Sequence, residues 1–316
     1  KAPSPNIMNK LARSVLALYS YDDYAEEKGI ESEMHTAISI IAKLPVIMTA
    51  AYQVKKSHYC NESMVMHPLN PEENTAQTIL SMLRTDRAYT EAEAQLLDVL
   101  LILHAEHGGG NNSTFACRVL TSSGTDAYSA YSAAIGSLKG HRHGGANIKV
   151  MQMLEDFKAN VKDWNSDGQV ADHMRKVLRK EANDFSGLIY GMGHAVYTLS
   201  DPREKILRDK AAALAKGTEI EAEFKLLETI ERLTPELFAE VRGEKRVICS
   251  NVDMYSGLVY KMLGIPEDLY TPLFAISRMA GWAAHRMEEI LTCNKIMRPA
   301  YKAIAKPRIY TDINDR

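Results

Sequence analysis

Apolar residues recur three and four positions apart along most of this 316-residue chain, and sustained apolar–polar alternation is absent. Ile7, Leu11, Val15 and Leu18 predict a first helix over about 7–18. Ile38, Ile41, Leu44, Ile47 and Met48 predict a second over about 33–56, with Pro45 expected to kink or break it. Residues 61–72 are polar, hold two prolines and read as a loop. Helices follow over about 75–84 and 91–105, the latter opened by the capping pattern Thr90-x-x-Glu93. From about 112 to 138 the chain is rich in Ala, Ser and Tyr, with many small side chains that let helices approach closely. No strand, repeat or low-complexity segment is legible, so the expected fold class is all-α.

The texture changes after Asn147. Residues 148–240 carry more charge and predict short amphipathic helices over 150–162, 169–181, 201–216 and 219–233, with a turn at Asn165-Ser-Asp-Gly168. Beyond Asn251 the pattern is apolar again. A smaller helical domain inserted between two segments of a larger one accounts for both shifts, and a cleft between them is the natural place for a site.

Composition narrows the classes. The 38 basic and 40 acidic residues leave a formal charge of −2 with no long basic run, which argues against nucleic acid as a partner. Cys60, Cys117, Cys249 and Cys293 are scattered and form no CxxC pair, so they read as free thiols in a reducing cytoplasm. No uninterrupted apolar run of about 18 residues is present, so no membrane span is expected. The Lys-Ala-Pro-Ser-Pro start has neither an initiator Met nor an apolar signal core, and the chain reads as N-terminally trimmed.

Candidate chemistry centres on His104-Ala-Glu-His107-Gly-Gly-Gly-Asn111 and His141-Arg-His143-Gly-Gly-Ala-Asn147, which set four histidines beside two glycine-rich turns. Neutral imidazoles and bare amides in one place suit small anionic substrates. A zinc site is the rival reading, but the spacing of His141 and His143 fixes no common direction and no Cys or carboxylate completes a set. A phosphate cradle at Gly108–Gly110 lacks the Gly-Lys-Ser/Thr that would follow it. Other residues have plain structural readings when taken one by one: Asp253 as a helix N-cap, His194 as a turn residue, Arg278 as an ion-pair partner, Arg298 as a surface charge, Trp282 and His285 as packing.

Taken in order, His104-Ala-Glu-His107…Asn111, His143-Gly-Gly-Ala-Asn147, Gly191-Met-Gly-His194…Asp201-Pro-Arg203, Asn251-Val-Asp253-x-Tyr-Ser-Gly257, Arg278-x-x-Gly-Trp-x-x-His285 and Arg298-Pro resemble the citrate synthase family over essentially the whole chain. The resemblance implies an all-α homodimer with a large domain over 1–147 and 258–316, a small domain over 148–257, and a cleft that closes on substrates. It implies condensation of acetyl-CoA with oxaloacetate and hydrolysis of citryl-CoA, with acetyl-CoA as co-substrate and no permanently bound cofactor or metal.

The same resemblance assigns roles. Asp253 matches the base, His143 the donor to the thioester carbonyl and His194 the donor to the ketone oxygen of oxaloacetate. His107, Arg203, Arg278 and Arg298 match carboxylate-binding residues, Arg298 reaching the neighbouring subunit's site, while His104 and His141 fall to supporting roles. The chain departs from the family at His141-Arg142, where Pro-Leu is common, at Ser250, where Pro precedes Asn-Val-Asp, and at Ala195 and Thr198, where basic residues hold CoA phosphates. Lys245 and Arg246 could supply replacement charge. The alternatives are a 2-methylcitrate synthase using propionyl-CoA and a non-catalytic homologue acting as a binding or regulatory subunit.

Overall fold

The computed structural model describes residues 3–193, 197, 199–243, 247–293, 295–300, 302, 304–306 and 308–316. Among them every regular element is helical, and the single β-type contact is an isolated antiparallel bridge between Met192 and Ser250. The first six helices are α1 (Ile7–Leu18), α2 (Ile30–Tyr59), α3 (Thr75–Leu83), α4 (Glu91–His104), α5 (Asn112–Ser122) and α6 (Ala127–Leu138). Six more follow: α7 (Ala146–Asn160), α8 (Asp167–Leu178), α9 (Pro202–Ala215), α10 (Glu221–Arg242), α11 (Asp253–Met262) and α12 (Tyr270–Thr292).

Local chemistry fixes the starts of these helices. Asn6 accepts from the Asn9 amide to open α1, and Asn74 with Gln77 and Thr90 with Glu93 form reciprocal capping boxes at α3 and α4. The buried positions Ile7, Leu11 and Val15 then seal one face of α1. α5 and α6 meet through small residues, with Ser113, Thr114, Cys117, Ala130 and Ala134 all fully buried.

Two helices run through prolines. α2 continues past Pro45 without a break, and α10 continues past Pro235 to Arg242, beyond the expected end near residue 233. An interior proline costs roughly 3 kcal/mol, so packing along these long helices must outweigh it. Contrary to the expectation from apolar runs, α2 is long and apolar enough to cross a membrane by length and composition. It packs on α1, α3 and α12, and Ile40, Leu44 and Met48 are buried there, as in a core helix.

α12 is the spine of the first group. It packs on α2, α4, α5 and α6, and Trp282, Arg278 and Met279 along it are fully buried. The other group comprises α7 to α11, with α8 on α10, α7 on α11, and α9 on both α10 and α11. α4 meets α9 across the two groups, which brings the start of α9 close to the loop that follows α4.

Candidate active site

A cavity of about 240 Å³ opens where these groups meet, lined by His107, His143, Arg203, Asn251, Asp253 and Arg278 among others. Five residues assigned from the sequence therefore converge: His107, His143, Arg203, Asp253 and Arg278. His194, Lys245 and Arg246, together with Ala195 and Thr198, lie outside the described residues. Arg298 is exposed and does not line this cavity.

His143 sits in a tight turn in which Gly140 O accepts from the amides of both His143 and Gly144. A Cβ at Gly144 would collide with Leu138 O, so only glycine fits there, and Gly145 (φ +111°) then starts α7. The Ser113 amide donates to His143 Nε2 at 3.2 Å, and the Ser113 hydroxyl lies 3.0 Å from the same nitrogen. An amide can only donate, so Nε2 is the acceptor and the ring proton belongs on Nδ1. Trp282 Nε1 donates to Ser113 Oγ at 3.2 Å, and Ser113 Oγ donates to Asn111 Oδ1 at 2.9 Å. Burial first, then the charge of Arg278, lowers the His143 pKa below its ordinary value. Desolvation is thus the main reason this imidazole is neutral.

Asp253 is the first residue of α11, and Val252 is the N-cap position with no side-chain hydrogen bond, so the capping reading of Asp253 fails. Asn251 does the local work instead. Its Oδ1 accepts from the Asp253 amide at 3.0 Å while its Nδ2 donates to Gly193 O at 2.8 Å. The amides of Asn251 and Gly193 donate to Gly191 O and Cys249 O, tying the two loops together. The Asp253 carboxyl is left facing the cavity, half-buried, with its pKa raised from 3.8 to about 6 by burial, against the opposing pull of Arg203 and Arg278.

Arg278 is fully buried. Its Nε donates to His104 O at 2.8 Å and its guanidinium stacks 4.7 Å from the Phe274 ring centroid. Both terminal nitrogens are buried without a hydrogen-bond partner, and burial pushes its pKa down to about 10. Glu106 and Asp253 act on this charge only at longer range, so the guanidinium fork keeps two free nitrogens for a planar anion. Arg203, in the first turn of α9, is instead held by Asp201, with Nε to Oδ1 at 3.0 Å and Nη2 to Oδ2 at 2.7 Å.

The loop bearing His107 is stitched to α12. Glu106 accepts from the amides of His107 and Gly108 and pairs with His285 Nε2 at 3.0 Å, and the Gly281 amide donates to Ala105 O at 3.1 Å. His285 and Trp282, expected to be packing residues, thus both hold parts of the site. His104 is buried with Nδ1 on Leu100 O at 2.9 Å, and burial lowers its pKa to about 3, so it stays neutral. His141 is exposed, and among the described residues no three His, Cys, Asp or Glu side chains are grouped for a metal ion.

A neutral imidazole, a carboxyl of raised pKa and a buried guanidinium with two unbonded nitrogens therefore line one small cavity. Such a site can deprotonate a carbon acid beside a bound carboxylate. The family profile described as "Citrate synthase, C-terminal domain" matches residues 1–300, and the chain belongs to the citrate synthase family, enzymes of the acyltransferase type. It is 34% identical over 315 residues to a citrate synthase of Haloferax volcanii, covering 98% of this chain and 75% of that protein. A Synechocystis citrate synthase is 37% identical over 264 residues, covering 83% of this chain and 59% of the relative. A Bacillus subtilis relative named citrate/2-methylcitrate synthase is 31% identical, covering 92% of this chain and 71% of that protein. Among solved structures, citrate synthase from Thermoplasma acidophilum, in ternary complex with carboxymethyl coenzyme A and oxaloacetate, superimposes with a TM-score of 0.80 at 26% identity. That match covers 98% of this chain and 76% of the other.

Proposed function

We propose that the chain condenses acetyl-CoA with oxaloacetate and hydrolyses the resulting citryl-CoA to citrate and CoA. The observation that carries this reading is the convergence of Asp253, His143 and Arg278 on one small cavity. Arg278 takes one substrate carboxylate on its two unpaired nitrogens, and His107 and Arg203 complete the binding of the acid, Arg203 by sharing itself with Asp201.

Asp253, mostly ionised above pH 6, removes a methyl proton of the thioester. The Nδ1 proton of His143 stabilises the enol oxygen, which needs a neutral donor, as at the neutral electrophilic histidine of triosephosphate isomerase. The nucleophilic carbon attacks the ketone carbon of oxaloacetate, and His194 donates to the developing alkoxide. Water then cleaves the thioester and CoA leaves as the thiol. Acetyl-CoA is thus a co-substrate and no cofactor is permanently bound. Lys245 and Arg246 hold its phosphates.

In this reading residues 148–257 form a small domain that closes on a large domain of 1–147 and 258–316. Two chains form a homodimer in which the exposed Arg298 completes the neighbour's site, and the enzyme works in the cytoplasm. Propionyl-CoA is the second acyl donor to consider, favoured by the name of the Bacillus subtilis relative. One added methylene is worth only about 1–3 kcal/mol in such a pocket. CoA release with oxaloacetate plus acetyl-CoA or propionyl-CoA separates the readings. The faster thioester names the substrate, and release with neither leaves only a binding role.

A further inference from the structure

Glu231, on α10, spans the turn that carries Asp253. Ser250 Oγ donates to its Oε1 at 2.5 Å and Tyr255 OH donates to its Oε2 at 2.5 Å. Ser250 stands three residues before Asp253 and Tyr255 two residues after it, so one carboxylate grips both sides of the turn. Both hydroxyl-bearing residues are buried, Tyr255 completely. Hydroxyl-to-carboxylate bonds in such surroundings are short and roughly twice as strong as neutral ones.

α11 begins without a side-chain cap from its N-cap residue, Val252, so this grip adds to the bonds that Asn251 makes. Arg208 Nη1 lies 3.6 Å from Glu231 Oε1 and 3.6 Å from Glu204 Oε1, giving the two carboxyls a shared counter-charge. Glu204, the residue after Arg203, is buried, and burial together with the Glu231 charge raises its pKa to about 7. The groups acting on Asp253 itself are Arg203 and Asp201 near the start of α9, Arg278 on α12 and Tyr260 on α11.

We propose that Glu231 is a positioning residue for the base, holding the Asp253 carboxylate in register with the thioester methyl by clasping Ser250 and Tyr255. The inference rests on the reading of Asp253 as the base. It explains why a carboxylate occupies position 231: it accepts with two oxygens, whereas an amide accepts with one.

The test compares the 316-residue protein with Glu231→Gln, Tyr255→Phe and Ser250→Ala. A misplaced base should lower kcat by about tenfold while the oxaloacetate KM stays within about twofold. It should also enlarge the kinetic isotope effect with methyl-deuterated acetyl-CoA, because proton removal becomes slower relative to the other steps. A purely structural role would lower the melting temperature and leave that isotope effect unchanged. A carbon-13 titration of Asp253, assigned with Asp253→Asn, needs no turnover: loosening the turn should admit water and move its pKa down towards the ordinary carboxylate value. If Glu231→Gln does not fold, the two hydroxyl variants carry the comparison. An isotope effect and an Asp253 titration both unchanged in the folded variants would overturn the proposal. A parent protein without CoA release defeats the functional reading alone, because the titration still decides the role of Glu231.

Discussion

The amide of Ser113 points at Nε2 of His143 from 3.2 Å, across thirty residues of sequence. A proton on Nε2 would turn this attractive contact into a clash of two donors. Protonation is therefore opposed by geometry as well as by burial, and the lowered pKa of His143 has a visible structural cause. Long-range nitrogen-15 NMR should find His143 neutral, with its proton on Nδ1, at pH 6.5, where an ordinary histidine is half charged. A half-protonated ring at that pH would show that it is not this donor.

Asp253→Asn keeps the shape of the base and removes its proton affinity. The turnover should fall about a thousandfold while oxaloacetate binding by calorimetry persists. Near-normal turnover would place the base elsewhere.

The Asp253 pKa also predicts a pH dependence with opposite signs for activity and stability. kcat should rise as pH increases through about 6, because the base must be ionised. Folding stability runs the other way. A carboxyl whose folded pKa lies above its unfolded value contributes stability that is fully present below about pH 4 and is lost as pH rises through about 6. Asp253→Asn should therefore gain about 1–3 kcal/mol over the parent at pH 8 and nothing at pH 4, read from urea unfolding at both values.

Arg278 poses the same conflict through a buried guanidinium whose two terminal nitrogens have no hydrogen-bond partner. Arg278→Met should raise the melting temperature of the ligand-free protein, because an unpaired buried cation costs more than a well-packed apolar chain. It should abolish the stabilisation that oxaloacetate gives the parent, which at a hundred times Kd amounts to about 2.7 kcal/mol. An Arg278→Met protein that still gains stability from oxaloacetate would remove Arg278 from the binding role.

Gly144→Ala tests the turn that presents His143. The new methyl would meet Leu138 O and the Thr271 methyl group, so the backbone must shift. Turnover should fall by more than about tenfold, since a displacement of about 1 Å can cost a hundredfold. Crystallography of the variant should show His143 withdrawn from Ser113.

Helices were legible wherever caps and the 3.6-residue period agreed, as at Thr90 and Glu93. Pro45 misled because tertiary packing outweighs one missing backbone bond, a balance no local pattern encodes. Asp253 looked like a cap because Asp suits that position, yet the neighbouring Asn251 makes the local bonds and frees it. The family motifs marked the side chains that face the cavity. They did not mark Ser113, which meets Trp282 across 169 positions, or Glu231, which meets Tyr255 across 24. Such pairings are set by how helices stack, which composition and periodicity do not specify.

α12 holds Arg278, the Gly281 amide that takes Ala105 O, Trp282 behind His143, and His285 on Glu106. Four separate features of the candidate site therefore share one rigid, buried rod, and rotating it to alter one would disturb the rest. The loops at 191–193 and 249–253 are tied to each other and, through Ser250, to Glu231 on α10. α12 is therefore the element least free to shift, because moving it displaces Arg278, the support behind His143 and the loop that bears His107 together.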